Sequence, residues 1–530
     1  MGLKGAFLLL FSVLCTISLS LGDDVTVTVR SVTTIGRTDD NLVCVTLDWW
    51  PKEKCNYGVC PWANASIIDM DLSNPALVNA IKAFNPLRLR LGGSLQDQII
   101  YKTGEYYPRC QSFRLDPNSL FGFTSGCLTM DRWDELNQFF NETGAVITFG
   151  LNALIGRRRA SKDGLYVGNM NPTNAYNLMK YSLSKGYKID SWELGNELSA
   201  GGVSARVSGV QYGEDLIRLK ELMNRLYAKE ANPPKLMAPG GFFDAKWFAD
   251  MLQTSGPNVV DVVSHHIYNL GAGVDKNLIY KMQDPYFLSE VAETYKDLEV
   301  TIRDFGPWSS PWVSESGGAF NSGGKDVSDA FVDSFWYLDQ LGMVSTFGHK
   351  VFCRQALIGG NYALLNTTTF APYPDYFSAL LWHRLMGSRV LGTSHNGSPY
   401  LRSYTHCSKG KSGVTVLLIN LSNSTSFDVS VVGDMNLYPP VVTQSIESSS
   451  TSASSNGGQG GQREEYHLTP QGGDLKSKVM LLNGTPLTVG SNGEIPNLSP
   501  SVADGSAPVH VAPLSIVFAR FKDFKAPACS

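Results

Sequence analysis

The chain has 530 residues, 43% of them hydrophobic and 17% charged, with a formal net charge of −4. It is long enough for one large domain or two ordinary ones and apolar enough for a substantial core, which excludes a disordered chain and a membrane-embedded one. The charge gives no basis for a nucleic-acid or broadly polyanionic partner.

Lys4 precedes an apolar run, Ala6 to Leu21, closed by the small residues Ser20 and Gly22 and followed by Asp23-Asp24. Residues 1–22 are expected to be a secretory signal peptide rather than an anchor. No other stretch reaches about 18 uninterrupted apolar residues, and Lys522–Ser530 has no hydrophobic tail, so no transmembrane segment or lipid anchor is expected. With Cys15 lost in the signal, Cys44, Cys55, Cys60, Cys110, Cys127, Cys353, Cys407 and Cys529 remain. An even number in an oxidising compartment predicts disulfides, with the pairing left open by the spacing. No Cys-x-x-Cys pair occurs and His265-His266 are adjacent, so no metal site is expected. Sequons at Asn64, Asn141, Asn366, Asn396, Asn420, Asn423, Asn483 and Asn497 agree with a secreted glycoprotein. The expected location is extracellular, in the wall, with lysosome or vacuole as the alternative destination. Peripheral membrane or wall association is compatible with this, and a monomer is expected.

Within residues 23–41, the stretch 25–35 (VTVTVRSVTTI) alternates in β-branched residues and reads as a strand. Residues 42–387 then repeat a pattern of apolar run, loop and amphipathic segment. The eight runs are Leu42–Leu47, Leu87–Leu91, Ala145–Leu151, Ser191–Gly195, Lys235–Ala238, Val259–His265, Pro311–Ser314 and Lys350–Leu357. Helical periodicity marks 212–230, 325–341 and 374–386, the last with Asp375 as a helper at its cap. Eight strand–helix alternations predict an α/β fold, a (β/α)8 barrel. Residues 388–530 change to short strands between turns, which predicts an antiparallel β-sandwich carrying a low-complexity loop at 445–461. The N-terminal strand is expected to join that sandwich, making it discontinuous. Arg157-Arg158-Arg159, the densest basic stretch, reads as a solvated loop.

The chemistry concentrates at the strand ends. In Ser191–Glu197 (SWELGNE), alternation puts Glu193, Gly195 and Glu197 on one side, with Glu197 at the C-terminal mouth where barrel enzymes gather their catalytic groups. The seventh run ends in WVSES, which puts Glu315 at the same mouth. Two carboxylates across a barrel mouth are the requirement of glycoside hydrolysis: one protonates the leaving oxygen, the other attacks the anomeric carbon or activates water. A Glu at a strand end can equally cap a helix or pair with an Arg, and it is the two together that favour catalysis. Asp48-Trp49-Trp50, Arg90, Ser94, Gln96, Asp97, Asn196, His265, His266, Tyr268 and Gly359-Gly360-Asn361-Tyr362 occupy other strand ends. There is no Gly-rich phosphate loop between strand and helix, no Gly-x-Ser-x-Gly elbow and no marked cysteine nucleophile, and no cofactor is expected.

SWELGNE, WVSESGGAFNSGG, the run SDAFVDSFWYLDQLGMVSTFGHKVFCRQALIGGNYALL and PDYFSALLWHRLMG closely resemble the heparanase family, glycoside hydrolase family 79, and within it the plant heparanase-like and β-glucuronidase branch. The resemblance implies a barrel plus sandwich and a retaining double displacement on a β-linked glucuronide. It further implies Glu197 as acid/base, Glu315 as nucleophile, and sugar contacts from Asp48, Ser94 and Asn196; Arg90, His266, Tyr268 and Gly360, at other strand ends, are expected substrate-binding residues beside them. Asn321, Ser322 and Gly323 fall where backbone N–H groups bind the uronate carboxylate, helped by Tyr362. Asn321-Ser322 replace consecutive glycines of the animal enzymes, and His265-His266-Ile267-Tyr268 leaves the tyrosine's register open by one. Cys407 and Cys529 match a family disulfide. Animal heparanases line their cleft with basic clusters and lose a linker peptide. Here Phe242-Phe243-Asp244-Ala245-Lys246-Trp247 follows Pro239-Gly240-Gly241 and no excised segment is evident. The implied substrates are therefore glucuronosyl groups of arabinogalactan proteins or small glucuronides such as flavonoid conjugates. The alternatives are an endo-acting heparanase-type enzyme on sulfated polysaccharide, a hydrolase of like architecture acting on another sugar, and a catalytically idle carbohydrate-binding wall protein.

Overall fold

The computed structural model describes residues 22–104, 111–436 and 461–530. The expected signal peptide up to Leu21, Cys110 and all but the last residue of the 445–461 tract lie outside them. A first strand, β1 (Asp23–Arg37), precedes eight barrel strands: β2 (Val43–Asp48), β3 (Arg88–Gly92), β4 (Val146–Leu151), β5 (Ser191–Leu194), β6 (Lys235–Phe242), β7 (Val262–His266), β8 (Ser310–Ser316) and β9 (Val351–Arg354). The barrel strands are parallel and close in sequence order, β9 returning to β2. Each is followed by a helix: α1 (Pro75–Lys82), α2 (Met130–Thr143), α3 (Thr173–Ser184), α4 (Gly209–Leu226), α5 (Ala245–Ser255), α6 (Ala292–Phe305), α7 (Asp333–Thr346) and α8 (Pro374–Leu385).

Local chemistry explains several boundaries. Thr129 accepts from the Arg132 N–H at 3.2 Å to start α2, and Gly144 at φ +68 ends it. Asp244 accepts from the Trp247 N–H at 2.8 Å to start α5. β2, β3 and β7 are buried at every position, as strands covered on both faces should be. Cys44, Met237, Val262, Trp312, Val351 and Cys353 fill the interior at the N-terminal ends of the strands. The Arg88 guanidinium lies 4.7 Å over the Trp312 ring. Cys44 and Cys353 face each other in register and are disulfide-bonded, so the first barrel strand is tied to the last. This packing closes the bottom of the barrel and leaves polar groups to the opposite mouth.

The strands that follow the barrel are β10 (Met386–His395), β11 (Leu401–Ser408), β12 (Val414–Asn420), β13 (Phe427–Asp434), β14 (Gln462–Pro470), β15 (Met480–Leu482), β16 (Thr485–Pro486), β17 (Ser501–Asp504), β18 (Val509–Val511) and β19 (Ser515–Phe521). Among the described residues they form one hydrogen-bonded path, β16-β15-β14-β19-β12-β11-β10-β1-β13-β18, with β17 beside β14. β1 pairs antiparallel with β10 and parallel with β13, the one parallel pairing of this region among the described residues. Cys407 and Cys529 are disulfide-bonded, tying the C-terminus to β11.

Three expectations need correction. β9 stops at Arg354, not Leu357, and the chain turns inward to carry Gln355 into the mouth. Helix α7 begins at Asp333 rather than 325, because 325–332 is a series of turns. Asp375 does not cap α8; its carboxylate accepts from Arg354 at 3.0 Å and from Ser334 at 2.6 Å.

Candidate active site

Glu197 and Glu315 both stand at the barrel's C-terminal mouth, and each is 7% exposed. Glu197 reaches it differently from the alternation argument. β5 ends at Leu194, and Gly195 and Glu197 have φ of +68 and +53. Glu197 therefore sits in a tight left-handed turn, uncommon for a residue with a Cβ. Its N–H donates to Gly240 O at 2.7 Å and its C=O accepts from the Val203 N–H at 3.0 Å, which fixes that conformation. Glu193, expected on the same side, is instead sealed inside the barrel, where its Oε2 accepts from Arg90 Nε at 2.8 Å. Burial raises the Glu193 pKa, but Arg90 and His266 outweigh that and hold it below the ordinary carboxylate range.

Arg90 also donates to Glu315 Oε2 at 2.7 Å and to Asn196 Oδ1 at 2.8 Å. The Tyr268 hydroxyl donates to Glu315 Oε1 at 2.7 Å. Both Glu315 oxygens thus accept, an arrangement suited to a carboxylate held in one orientation. His266 Nδ1 lies 3.0 Å from Glu197 Oε1 and 4.0 Å from Glu315 Oε2, whereas its Nε2 is buried without a hydrogen-bond partner among the described residues. His265 turns the other way, its Nε2 3.0 Å from that of His349 in the core. Burial pushes the His349 pKa down to about 3. Glu197, His266 and Glu315 bring three ligand-type atoms within 4.8 Å of one another. Arg90 and Tyr268 already occupy both Glu315 oxygens, which makes the cluster a poor cation site.

Asp48, at the end of β2, accepts from Gln355 Nε2 at 2.5 Å. Burial, with the Glu315 charge adding to it, pushes its pKa well up against the opposing Gln355 and Arg90. Gly93, at φ +94, passes so close that a Cβ there would lie 1.9 Å from Asp48 Oδ1. Gln355 also reaches the Tyr362 hydroxyl at 3.3 Å and accepts from Thr46. Sequence reasoning missed Gln355; its signal was an amide inside the eighth run, Lys350–Leu357, where a strand buried on both faces should be apolar. Ser94 opens the short 3-10 turn Ser94–Gln98. Asp97 is buried in that turn, its carboxylate accepting from the Ala153 N–H at 2.7 Å and the Asn196 N–H at 2.8 Å. Burial pushes its pKa up to about 7.

Asn321, Ser322 and Gly323 have φ of +59, +72 and +76, three left-handed residues in succession. The Ser322 Oγ accepts from Asn56 Nδ2 at 2.7 Å and Trp62 Nε1 at 3.0 Å, and Ser322 O accepts from the Asn361 N–H at 2.6 Å. Asn321 itself is exposed and donates to Tyr57 at 2.9 Å. The Tyr362 ring packs on Gly323 and Gly360. Among the described residues, the Ser322 and Gly323 N–H groups meet no protein acceptor. Asn56 and Tyr57 belong to a loop pinned by the Cys55–Cys60 disulfide.

Of the sequon asparagines, Asn64, Asn141, Asn396, Asn423 and Asn497 are exposed, while Asn366 and Asn483 are half-buried. Asn420 must be withdrawn as a glycan site: it is fully buried, and its Nδ2 donates to Thr425, Val511 and Ala512 carbonyls.

Residues 24–342 match the family described as "Glycosyl hydrolase family 79, N-terminal domain". The chain belongs to glycoside hydrolase family 79. It is accordingly a glycosidase, and its family 79 relatives extend over nearly all of it. Heparanase-like protein 1 of Arabidopsis thaliana is 52% identical, the match covering 95% of this chain and 94% of that protein. Baicalin-beta-D-glucuronidase of Scutellaria baicalensis is 40% identical over 97% of this chain and 95% of its own. Mouse heparanase is more distant, 29% identical over 75% and 70%. A solved 4-O-alpha-L-rhamnosyl-beta-D-glucuronidase from Fusarium oxysporum shares the fold, with a TM-score of 0.65 over 94% of this chain and all of that one at 13% identity. An arabinofuranosidase of family 51 from Xanthomonas axonopodis pv. citri shares it equally, at 0.65 and 15% identity over 94% and 99%.

Proposed function

We propose that this family 79 enzyme is a secreted, retaining β-glucuronidase that removes glucuronic acid from arabinogalactan-type glycans or from small glucuronides. The observation that carries the reading is the carboxylate pair, an oxygen of each lying within 4.8 Å of the other. That closeness suits attack by one carboxylate better than the wider separation of about 6.5–9.5 Å by which an inverting enzyme accommodates a water. Glu315, aligned by Arg90 and Tyr268, attacks the anomeric carbon. Glu197, joined to His266, protonates the departing oxygen and in the second step takes a proton from water. The uronate preference rests on Ser322 and Gly323, whose N–H groups lack protein acceptors, beside Tyr362; a carboxylate in a closed pocket needs such directed donors. The name of the Scutellaria relative, a β-D-glucuronidase, supports the same sugar. The test is hydrolysis of an aryl β-glucuronide, with Glu315→Ala expected to lower kcat by about a thousandfold or more. A wild type inert on glucuronides but active on the matching glucoside would remove the uronate assignment.

A further inference from the structure

From the acid-bearing edge of the mouth, we infer that Phe242 is a stacking platform for the leaving group, selecting aglycones that present a flat, uncharged ring face beside the glycosidic oxygen. This rests on the β-glucuronidase reading and extends it from the sugar to the group released.

The acid protonates the leaving oxygen, so the leaving group must lie on the side from which Glu197 approaches. That side is built by the end of β6. Gly240 O accepts the Glu197 N–H, and a Cβ on Gly241 would fall 3.2 Å from Glu197 Cα. Phe242 is the next residue and the last of the strand, its carbonyl held by Ser199 Oγ at 2.9 Å. Its ring centroid lies 6.3 Å from that of His266, at 76°, and 6.2 Å from that of Tyr268, at 54°. These two side chains hydrogen-bond the two carboxylates, so the Phe242 ring is locked beside the reacting groups. It is nevertheless 40% exposed. Val203, from the turn that bonds the Glu197 carbonyl, is 37% exposed.

A single exposed apolar side chain is ordinary. An aromatic ring held by an edge contact to one site residue and a tilted contact to another, still 40% exposed and accompanied by a second exposed apolar side chain from the acid's own loop, is a preorganised stacking surface. Among the basic groups of the neighbouring loops, Lys246 is paired with Asp250 at 2.7 Å, Arg157 with Asp215 at 2.5 Å and Arg206 with Asp163, while Arg158, Arg159 and Lys162 are exposed and have no acid partner among the described residues. The three paired cations offer a sulfated leaving group no free charge. A phenolic ring or the apolar face of an uncharged hexose would find Phe242.

The experiment compares wild type, Phe242→Ala and Phe242→Tyr on three β-glucuronides: 2-naphthyl, methyl and β-1,6-linked galactose. Phe242→Ala should raise KM about fivefold to tenfold for ring-bearing leaving groups while leaving the methyl glycoside within twofold, and Phe242→Tyr should restore the wild-type values. A loss confined to the naphthyl substrate assigns the platform to aryl groups, and a loss on the galactoside as well assigns it to ring faces in general. An equal loss on all three, or none, overturns the inference, the former because Phe242 would then act only by packing on His266 and Tyr268. Should wild type cleave no glucuronide, that failure belongs to the sugar assignment. The same aglycones on the glycoside it does cleave then decide the platform by the same criteria.

Discussion

Asp97 shows how a residue outside the reaction sets its geometry. Its two carboxylate oxygens accept from the Asn196 and Ala153 N–H groups, so one side chain clamps the residue before Glu197 to the loop after β4. Burial pushes its pKa up to about 7. The folded chain therefore keeps a proton between roughly pH 4 and 7 that the unfolded chain has released, and this group's contribution to stability falls as pH rises through that window. Buried histidines slope the other way: burial pushes His349 and His383 down to about 3 and His406 to about 4, so their contribution rises with pH up to about 6.5. Asp97→Asn removes one titration and leaves the histidines untouched. In urea unfolding, the advantage of wild type over Asp97→Asn should be about 2 kcal/mol larger at pH 5 than at pH 8. A difference independent of pH would show that Asp97 does not titrate in this way. At this scale the sequence was informative about residue types and poor about partners. Arg90 was recognisable in LRLRLGG, but nothing in that string pairs it with Glu193, Glu315 and Asn196 at once, because those bonds form only when three strands close.

Among elements, the strands were legible and the turns that aim their last side chains were not. Apolar runs located all eight barrel strands, since burial on both faces leaves a continuous hydrophobic signature. Alternation then failed directly after Leu194, because the left-handed turn at Gly195 and Glu197 obeys contacts to β6 rather than the strand's period. The loop Asn321–Gly323 is similar: its three left-handed residues are held by Ser322 contacts to Asn56, Trp62 and Asn361, over 260 residues away in the case of Asn56. Those contacts come from two short segments, and the Cys55–Cys60 disulfide preorganises one of them. Replacing both cysteines by serine frees Asn56 and Tyr57 and charges their ordering to substrate binding. Steady-state kinetics on an aryl glucuronide should show KM raised by about three- to tenfold with kcat within twofold of wild type. If kcat falls instead and KM holds, the loop shapes the reacting carboxylates and not the sugar pocket.

In the whole molecule, barrel and sheet share one core. Leu417, Ile419, Tyr466, Leu468, Ile516 and Phe518 of the sheet belong to the same buried cluster as the barrel helices. Helix α7 is buried at every position from Asp333 to Ser345, so it has no solvent face to present if the sheet is removed. Asp339 in α7 is fully buried and accepts from Arg402 Nε at 2.7 Å, Arg402 Nη2 at 3.2 Å and the Tyr404 hydroxyl at 2.6 Å, both donors lying on β11. A buried carboxylate deprived of its cation costs far more than the pair itself gains. Arg402→Ala should therefore destabilise the protein by about 3 kcal/mol, a value set toward the lower end because the arginine keeps 17% side-chain exposure. Since the pair bridges the two regions, the loss should appear as a lower midpoint of one transition, with barrel and sheet still unfolding together in calorimetry. Residues 42–387 expressed alone should fail to give a cooperative transition, because α7 and the sheet-facing side of α8 would be stripped of their cover. A soluble, cooperatively melting fragment of those residues, or two separate transitions in the intact chain, would mean that the shared core is a contact between independent domains.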